Sequence, residues 1–356
     1  MALNIAILGW AHGHVGLYAE EFRKMPDTRI VASWDHDEAR VNHCAERYGC
    51  RGATDLEEVL RDGGISAVVV GVETSMHADV CAAAAEAGKA ILLQKPMALT
   101  LEDCDRIIEA VETAGVPFSI AWQMRVDPQN LRIQDILRSG LLGKITMFRR
   151  KHCLATHIWP DFDKTWHVRP ELNRGLWMDD AAHPFDLVCW LFGKPRSVIA
   201  EIDTLLNPIV PDDSGVAVFR TEENVMVSVF SSFTANAGEN TTEIHGDKGT
   251  LIQNYGDAVS VSTPRPAGSC GLRWILNGES EWTESGIPSP TSQADRIRAI
   301  ARPAIDFFLG KRGPIGTAQE GRDVTEMLLA SYESAATGRR VEFPYQPARN
   351  KGGDEP

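Results

Sequence analysis

The sequence lacks the marks of a secreted, membrane-bound or nucleic-acid-binding protein. Its seven cysteines are odd in number and form no C-x-x-C pair, which indicates scattered reduced thiols rather than a disulfide framework. No apolar run approaches the ~20 residues that cross a bilayer, and no basic segment with a cleavage site opens the chain. The net charge of −13 disfavours polyanionic partners. We therefore expect a cytoplasmic protein that binds neither membranes nor nucleic acid.

Predicted strands and helices alternate through the first third of the 356 residues. Apolar runs predict strands at 3–8, 29–34, 67–72, 90–94 and 117–122, and amphipathic patterns predict helices at 15–25, 38–48, 55–61, 75–87 and 101–114. This alternation is typical of an α/β fold with a doubly wound parallel sheet, the Rossmann architecture. Ligands of such sheets bind beyond the carboxyl ends of the strands, so the residues there are the first candidates for a site.

The turn after the first predicted strand, residues 9–14, is Gly9-Trp10-Ala11-His12-Gly13-His14. A turn of this kind presents backbone N–H groups and a helix N-terminus to a phosphate. The dinucleotide fingerprint G-x-G-x-x-G is met at Gly9 only, because Ala11 and His14 replace the second and third glycines. The alternative is a tight connection with no ligand.

Two charged residues stand at other strand ends. Asp35 follows the second strand, where a carboxylate can accept hydrogen bonds from the adenosine ribose and repel a 2′-phosphate, which favours NAD over NADP. The alternative is that Asp35 only ends the strand while Asp37 caps the next helix. Lys95 follows the strand at 90–94 and precedes a proline, so it can reach into a crevice, although an ordinary solvated lysine is the alternative.

A polar cluster at residues 178–186 precedes an apolar run. On a helix, Asp179, His183 and Asp186 share one face, and a carboxylate that touches an imidazole is suited to proton transfer near neutral pH. The alternative is a polar surface stripe. Because proline is tolerated mainly in a first turn, Pro184 places the start of the regular helix near Ala182 and leaves Asp179 on the lead-in.

The second half changes character. A helix at 128–138 and a strand at 144–152 precede an irregular stretch, 154–175, whose histidines and tryptophans could bind a sugar or pack in the core. Alternating runs at 198–204, 214–220, 225–235, 241–245, 250–253 and 258–261 predict a large, open antiparallel sheet. A loop at 263–293, helices at 294–309 and 318–336 and a strand near Val341 follow. The predicted domains are 1–123, which binds NAD, and 124–345, which is α+β, with a disordered tail at 346–356.

Two motifs at this separation resemble those of the Gfo/Idh/MocA (glucose-fructose oxidoreductase and inositol dehydrogenase) family. Gln94-Lys95-Pro96 resembles the family's E-K-P strand end, and Asp179-x-Ala181-x-His183 resembles its D-x-G-x-H. The resemblance implies that Lys95, Asp179 and His183 are catalytic and that Asp35 holds the ribose of NAD. It also implies roles near the ligands for His77 and Arg125. Gln94 and Ala181 depart from the family pattern, as do the residues at the fingerprint glycines and Glu73.

Two sets of binding residues are therefore predicted. The cofactor set comprises Gly9, Ala11, His12, Gly13, His14, Asp35, Glu73, His77, Gln94, Lys95 and Gln123. The substrate set comprises Lys95, Arg125, His152, His157, Trp166, Arg169, Asp179 and His183. The spacing of His152, His157, His167 and His183 matches no known zinc site, so no metal is predicted.

The predicted function is an NAD-dependent dehydrogenase that acts on a secondary hydroxyl of a sugar, inositol or related polyol. In this hypothesis Lys95 and His183 bind the hydroxyl, His183 takes its proton, and Asp179 holds His183. The resemblance further implies a homodimer or homotetramer formed through the C-terminal sheet. Two alternatives stay open at this point: a redox-neutral lyase or glycosidase that uses NAD through a keto intermediate, and a non-catalytic sensor of nucleotide or sugar.

Overall fold

The computed structural model describes residues 2–206, 209–236, 240–254 and 271–346. In the first half, the strands are β1 (Leu3–Leu8), β2 (Thr28–Trp34), β3 (Arg51–Ala53), β4 (Ala67–Val70), β5 (Ala90–Leu93) and β6 (Phe118–Ile120). The helices are α1 (Gly13–Phe22), α2 (Glu38–Tyr48), α3 (Leu56–Leu60), α4 (His77–Glu86) and α5 (Leu101–Ala114). The strands form one sheet in the order β3-β2-β1-β4-β5-β6, and each neighbouring pair is parallel. The predicted Rossmann sheet is confirmed.

Local sequence explains these elements. The β4 run of alanine and valines is buried throughout, as expected for a central parallel strand covered on both faces. Asp37 accepts a hydrogen bond from the backbone N–H of Arg40 and so caps α2, and Thr100 caps α5 through Asp103. The three-residue strand β3 was not predicted, because it is too short to show a periodic pattern.

The second half contains the larger sheet. Its helices are α6 (Pro128–Arg138), α7 (Pro170–Asn173), α8 (Leu176–Asp180), α9 (Ala182–Phe192), α10 (Gln293–Arg298), α11 (Ala301–Phe308) and α12 (Ala318–Thr337). Its strands are β7 (Ile145–Cys153), β8 (Ser197–Asp203), β9 (Ser214–Arg220), β10 (Met226–Ser232), β11 (Asn240–Gly246), β12 (Gly249–Gln253), β13 (Leu272–Leu276), β14 (Thr283–Glu284) and β15 (Val341–Glu342). The order is β14-β13-β12-β11-β7-β10-β9-β8-β15. The sheet is mostly antiparallel, but β7 and β10 run parallel, which corrects the purely antiparallel prediction.

The two faces of the larger sheet differ. On β7, Phe148, Arg150 and His152 are buried on the face that packs against α9, whereas Met147 on the opposite face is 49% exposed. This alternation is the period of two expected of a strand with one covered face. The inner face therefore brings two polar residues, Arg150 and His152, towards the segment that carries Asp179 and His183.

Several segments near the C-terminus differ from expectation. The predicted loop at 263–293 contains β13 and β14, and the single helix predicted at 294–309 is divided into α10 and α11. Both of these helices pack on α1, and α12 packs on α5, so the end of the chain returns to the Rossmann half. Division of the chain at residue 123 stays a prediction. The predicted strand at 258–261 and the predicted tail beyond 346 lie outside the described residues. Within the described ranges, no helix is both long and apolar enough to cross a membrane.

Candidate active site

A buried ion pair joins the two halves at the predicted catalytic position. Lys95 follows β5, and its Nζ lies 2.5 Å from Oδ1 of Asp179 and 3.2 Å from the Asp179 carbonyl oxygen. The two side chains are 3% and 6% exposed. Burial alone would raise the pKa of Asp179, but the neighbouring groups, Lys95 first among them, bring the pKa below its usual value. The Asp179 carboxylate is therefore ionised at neutral pH.

His183 lies in the first turn of α9, which begins at Ala182 as Pro184 led us to expect. Its Nε2 is 3.5 Å from Nε2 of Gln123. Its Nδ1 is buried and has no hydrogen-bond partner in the described part of the chain. The expected contact between the Asp179 carboxylate and this imidazole is wrong, because α8 ends at Asp180 and Ala181 separates the two helices. The second Asp179 oxygen instead lies 3.9 Å from Nε2 of His167.

Burial and the nearby lysine keep the surrounding imidazoles neutral. Burial first, and then the charge of Lys95, lower the pKa of His183 well below its usual value. The same two causes lower the pKa of His14 to about 3. The rings of His14 and His183 are 6.3 Å apart. The turn of residues 9–14, called the nucleotide turn below, therefore meets the segment that carries Asp179 and His183. His183 is therefore present as the neutral imidazole, the form whose lone pair a proton acceptor needs.

The turn after β1 has the geometry of a dinucleotide cradle. Gly9 has φ +92°, and a Cβ there would collide with Val72, so only glycine fits. α1 begins at Gly13, where a Cβ would meet no atom within 4 Å, and this leaves open space beside the first backbone N–H groups. Trp166 donates from Nε1 to the carbonyl oxygen of Ala11 (3.0 Å) and so closes one side of the turn. The residues present fit a bound pyrophosphate.

An acidic pair lies at the predicted ribose position. The Asp35 carboxylate accepts hydrogen bonds from the backbone N–H of Trp10 (2.7 Å) and from Nη2 of Arg40 (2.8 Å). Arg40 also pairs with Glu73 at 3.1 Å. Asp35 thus links the nucleotide turn to α2, which goes beyond the alternative that it only ends the strand. Whether Asp35 and Glu73 contact a ribose stays a prediction.

His77 and Gln94, two other residues of the predicted cofactor set, hold the backbone around Lys95 in place. Nδ1 of His77 lies 3.0 Å from the carbonyl oxygen of Pro96 and 3.2 Å from that of Met97. Gln94 accepts from the Lys95 backbone N–H (3.0 Å) through Oε1, and its Nε2 donates to the hydroxyl of Tyr18 (3.2 Å). Both side chains are buried in contacts that hold the strand end in place. Their geometry favours positioning over contact with cofactor.

The predicted substrate residues differ in how near they lie to the ion pair and in what they contact. His152 and Trp166 lie close to the site, since the rings of His152 and His183 are 5.4 Å apart and Trp166 contacts the nucleotide turn. The guanidinium of Arg125 instead donates hydrogen bonds to Asp186, Glu320 and the Ile315 carbonyl, so its role is structural. His157 is exposed, and Arg169 is 62% exposed and pairs with Glu171. These last two side chains are not brought to the ion pair.

Three residues near the site were missed. His167 stacks on Trp166 with ring centroids 4.1 Å apart and faces Asp179. Asn173 donates to the His167 carbonyl (3.2 Å) and accepts from Thr74 (3.0 Å), which ties this stretch to the Rossmann half. Asp180 is buried beside His152. His167 lies in the stretch 154–175 whose histidines were predicted to bind a sugar or pack in the core, and Asp180 stands beside a candidate catalytic residue, but neither was placed in a binding set. Asn173 had no sequence signal. In the described ranges, no group of three or more His, Cys, Asp or Glu residues is arranged to hold a metal ion.

Comparison with known proteins matches both halves to one family. Residues 3–122 match the model described as an oxidoreductase family with an NAD-binding Rossmann fold. Residues 130–252 match the model of the GFO/IDH/MocA C-terminal domain. The prediction of NAD as cofactor is thereby confirmed.

Named relatives cover most of the chain. It is 27% identical to 1,5-anhydro-D-fructose reductase of Ensifer adhaerens, over 82% of this chain and 84% of that protein. It is 29% identical to inositol 2-dehydrogenase 2 of Saccharopolyspora erythraea, over 98% of each. Among solved structures, levoglucosan dehydrogenase in complex with NADH and levoglucosan aligns with a TM-score of 0.82 at 21% identity, over 97% of this chain and 100% of that one. The structural likeness shows the fold.

Proposed function

The chain belongs to the Gfo/Idh/MocA family of oxidoreductases, and from that premise we propose that it oxidises a secondary hydroxyl group of a sugar, inositol or related polyol with NAD. The observation that carries the proposal is the convergence of Lys95, Asp179 and His183 beside the glycine turn. An ammonium held by a buried carboxylate and a neutral imidazole with a free nitrogen are the groups that an alcohol needs to lose its proton. The named relatives that act on sugars and inositol support the substrate class.

In the proposed mechanism, Lys95 Nζ donates a hydrogen bond to the hydroxyl oxygen of the substrate, and its charge stabilises the developing alkoxide. His183 takes the hydroxyl proton on Nδ1, the buried nitrogen that no group in the described residues occupies. This requires the amide oxygen of Gln123 to face Nε2–H of His183, an orientation that the shape of an amide permits. Asp179 keeps Lys95 in place. Bound NAD supplies the hydride acceptor, and residues 9–14 would hold its pyrophosphate.

Spectrophotometry tests the proposal directly. Sugars, inositols and anhydrosugars are screened for NADH absorbance at 340 nm, with NAD and NADP compared side by side. We expect turnover with NAD and a loss of at least about 10²-fold in kcat for His183→Ala, because a well-placed base contributes about 10²–10⁴ in rate. His43→Ala, on the exposed face of α2, is the matched control. Absence of NADH with every polyol, or near-normal turnover of His183→Ala, would contradict the proposal.

The two alternatives that the sequence left open receive no support. A lyase or glycosidase that regenerates its NAD would form product without net NADH, so chromatography of the product beside the absorbance assay distinguishes it. A sensor would bind nucleotide without needing a lysine, a carboxylate and a histidine around one point. The oxidoreductase is therefore the function that we propose.

We further propose that the outer face of the larger sheet binds a second copy of the chain. Its residues Met147, Val216, Met226 and Phe230 are 37–49% exposed, and Met147 pairs with Met226 and Val216 with Phe230 across neighbouring strands. A patch of this kind on a sheet is suited to a protein interface. Light scattering is expected to give a dimer or tetramer, which Met226→Lys weakens and Leu131→Lys, on the exposed side of α6, does not. A monomer at micromolar concentration would contradict this.

A further inference from the structure

Asp180, beside the ion pair, has an unsatisfied carboxylate oxygen. The side chain is 8% exposed, and Oδ2 has no hydrogen-bond partner within the described residues. Nε2 of His152 lies 3.6 Å from Oδ2, which is longer than a hydrogen bond. A buried carboxylate oxygen without a donor is costly, and natural proteins rarely leave one without a reason.

The hydrogen of His152 can be placed by its other neighbour. Nη2 of Arg150 lies 3.3 Å from Nδ1 of His152. A guanidinium only donates, so Nδ1 must accept and the hydrogen of the neutral ring lies on Nε2. Burial, only partly offset by Asp180, lowers the pKa of His152, which keeps the ring neutral. His152 therefore presents an N–H donor on the side where Asp180 presents a free acceptor.

Arg150 is held firmly enough to fix this orientation. Nη1 donates to Oγ1 of Thr242 (2.8 Å) and to Oε1 of Gln253 (3.3 Å), and Nη2 also contacts Oδ1 of Asn240 at 3.3 Å. These partners lie on β11, the neighbour of β7, and on β12, the strand beyond it, so they hold the guanidinium on the inner face of the sheet. The donor at His152 is thus preorganised before any ligand arrives.

The pair selects one kind of chemical group. A donor and an acceptor 3.6 Å apart match a hydroxyl, whose oxygen accepts from Nε2–H while its hydrogen is donated to Oδ2 of Asp180. A carboxylate or phosphate would be repelled by Asp180, and an ammonium has no lone pair for the His152 N–H. The His152 ring is 5.4 Å from that of His183, which is close enough for a hydroxyl bound here and the reacting hydroxyl to stand on neighbouring carbons.

We propose that His152 and Asp180 form a subsite for a second substrate hydroxyl, so that the enzyme takes vicinal diols and discriminates against substrates that lack the neighbouring hydroxyl. The inference rests on the proposed function for the identity of the reacting carbon. It adds Asp180 as a specificity-determining residue and Arg150 as a positioning residue that acts through His152.

Cyclohexanol and cis- and trans-1,2-cyclohexanediol test the subsite, because they differ by a single neighbouring hydroxyl. Saturation-transfer NMR gives the Kd of each for the NADH complex, and NADH absorbance gives kcat/KM with NAD. We expect the wild type to prefer one of the diols over cyclohexanol by about tenfold or more, since a hydrogen bond to a charged group typically contributes that much. In Asp180→Ala the preference should fall to within about threefold of unity, and Asp180→Asn, which keeps an acceptor oxygen and the side-chain volume, should fall between.

Asp163→Ala, an exposed carboxylate in the same half, is the matched control and should retain the full preference. A purely structural Asp180 would lower the melting temperature but leave the ratio of the two affinities unchanged, and that result overturns the subsite. Absence of a diol preference in the wild type, or of any binding, overturns it as well. If diols bind preferentially through Asp180 but no NADH forms with any polyol, the proposed function fails while the subsite stands.

Discussion

Two buried ion pairs meet at α8, α9 and the segments that pack against them, and they differ in what surrounds them. Arg125 and Asp186 share three hydrogen bonds of 2.6–3.1 Å, and the remaining Arg125 contacts go to Glu320 and a backbone carbonyl. Lys95 Nζ contacts Asp179 at Oδ1 (2.5 Å) and at the carbonyl oxygen (3.2 Å), and the same region holds two polar atoms without a partner in the described residues, Nδ1 of His183 and Oδ2 of Asp180.

The difference separates a structural pair from a reactive one. Burial and charge alone do not distinguish them, because all four side chains are at most 6% exposed. In the Arg125 pair the protein supplies the partners, so nothing is left for a ligand to do. Beside the Lys95 pair, two polar atoms are left for a ligand to satisfy, which is what a preorganised site requires.

The largest effect is expected at the reactive pair. Lys95→Ala should lower kcat by at least about 10²-fold while NAD still binds, because the alkoxide loses its nearest positive charge. The mutation also leaves Asp179 buried without its partner, so its effect on stability must be separated from its effect on catalysis. Lys95→Ala with Asp179→Asn removes the unpaired charge. Stopped-flow turnover and fluorescence titration with NADH are the measurements.

Lys24→Ala, a lysine that is 67% exposed, is the control for this comparison. If the double variant regains stability but not turnover, the loss is catalytic. Recovery of turnover in the double variant would mean that Lys95 only neutralises Asp179, and the two pairs would then be alike.

At the structural pair the expected effect is on stability. Arg125→Met leaves Asp186 buried without a counter-charge, which should cost about 3–5 kcal/mol in the free energy of unfolding. kcat of the protein that remains folded should fall far less than in Lys95→Ala. Urea unfolding followed by circular dichroism measures the first quantity, and turnover at low temperature the second. A large loss of turnover with normal stability would show that Arg125 contacts the substrate, as the sequence predicted.

These contrasts also show what the sequence could predict. The α/β alternation, the start of α9 near Ala182 and the closeness of Lys95 to Asp179 follow from periodicity, proline chemistry and the family motifs. The partner of Asp179 did not follow, because the contact with His183 was taken from the helical spacing and the family motif, although Pro184 already placed Asp179 ahead of the regular helix. The saturation of Arg125 depends on Glu320, which is 195 residues away along the chain, and no local pattern reports such a contact.

Buried histidines surround the reactive pair and make its half sensitive to acid. Burial lowers the pKa of His77 to about 4, below its usual value of 6.5. Between these two values the unfolded chain binds a proton that the folded chain does not, so stability is complete above pH 6.5 and falls as the pH drops. His77 alone should contribute a loss of about 1.4 kcal/mol per pH unit in that window. Urea midpoints at pH 7.5 and 5.5 measure it.

His77→Gln is the matched variant for that measurement, because an amide can still donate to the Pro96 carbonyl but does not titrate. Its stability should depend less on pH than that of the wild type, by about one proton. Identical pH profiles for the two proteins would show that His77 is not a source of the acid sensitivity.

The smallest effect is expected at an exposed ion pair, which completes the series. Arg106 lies 2.6 Å from Asp79 and 3.0 Å from Asp103, at distances like those of the buried pairs, but it is 53% exposed. Water and salt screen such charges, and ordering two long side chains offsets what attraction remains. Arg106→Gln should therefore leave both the urea midpoint and kcat within experimental scatter. A measurable destabilisation there would show that distance, rather than burial and satisfied hydrogen bonds, determines what an ion pair contributes in this protein.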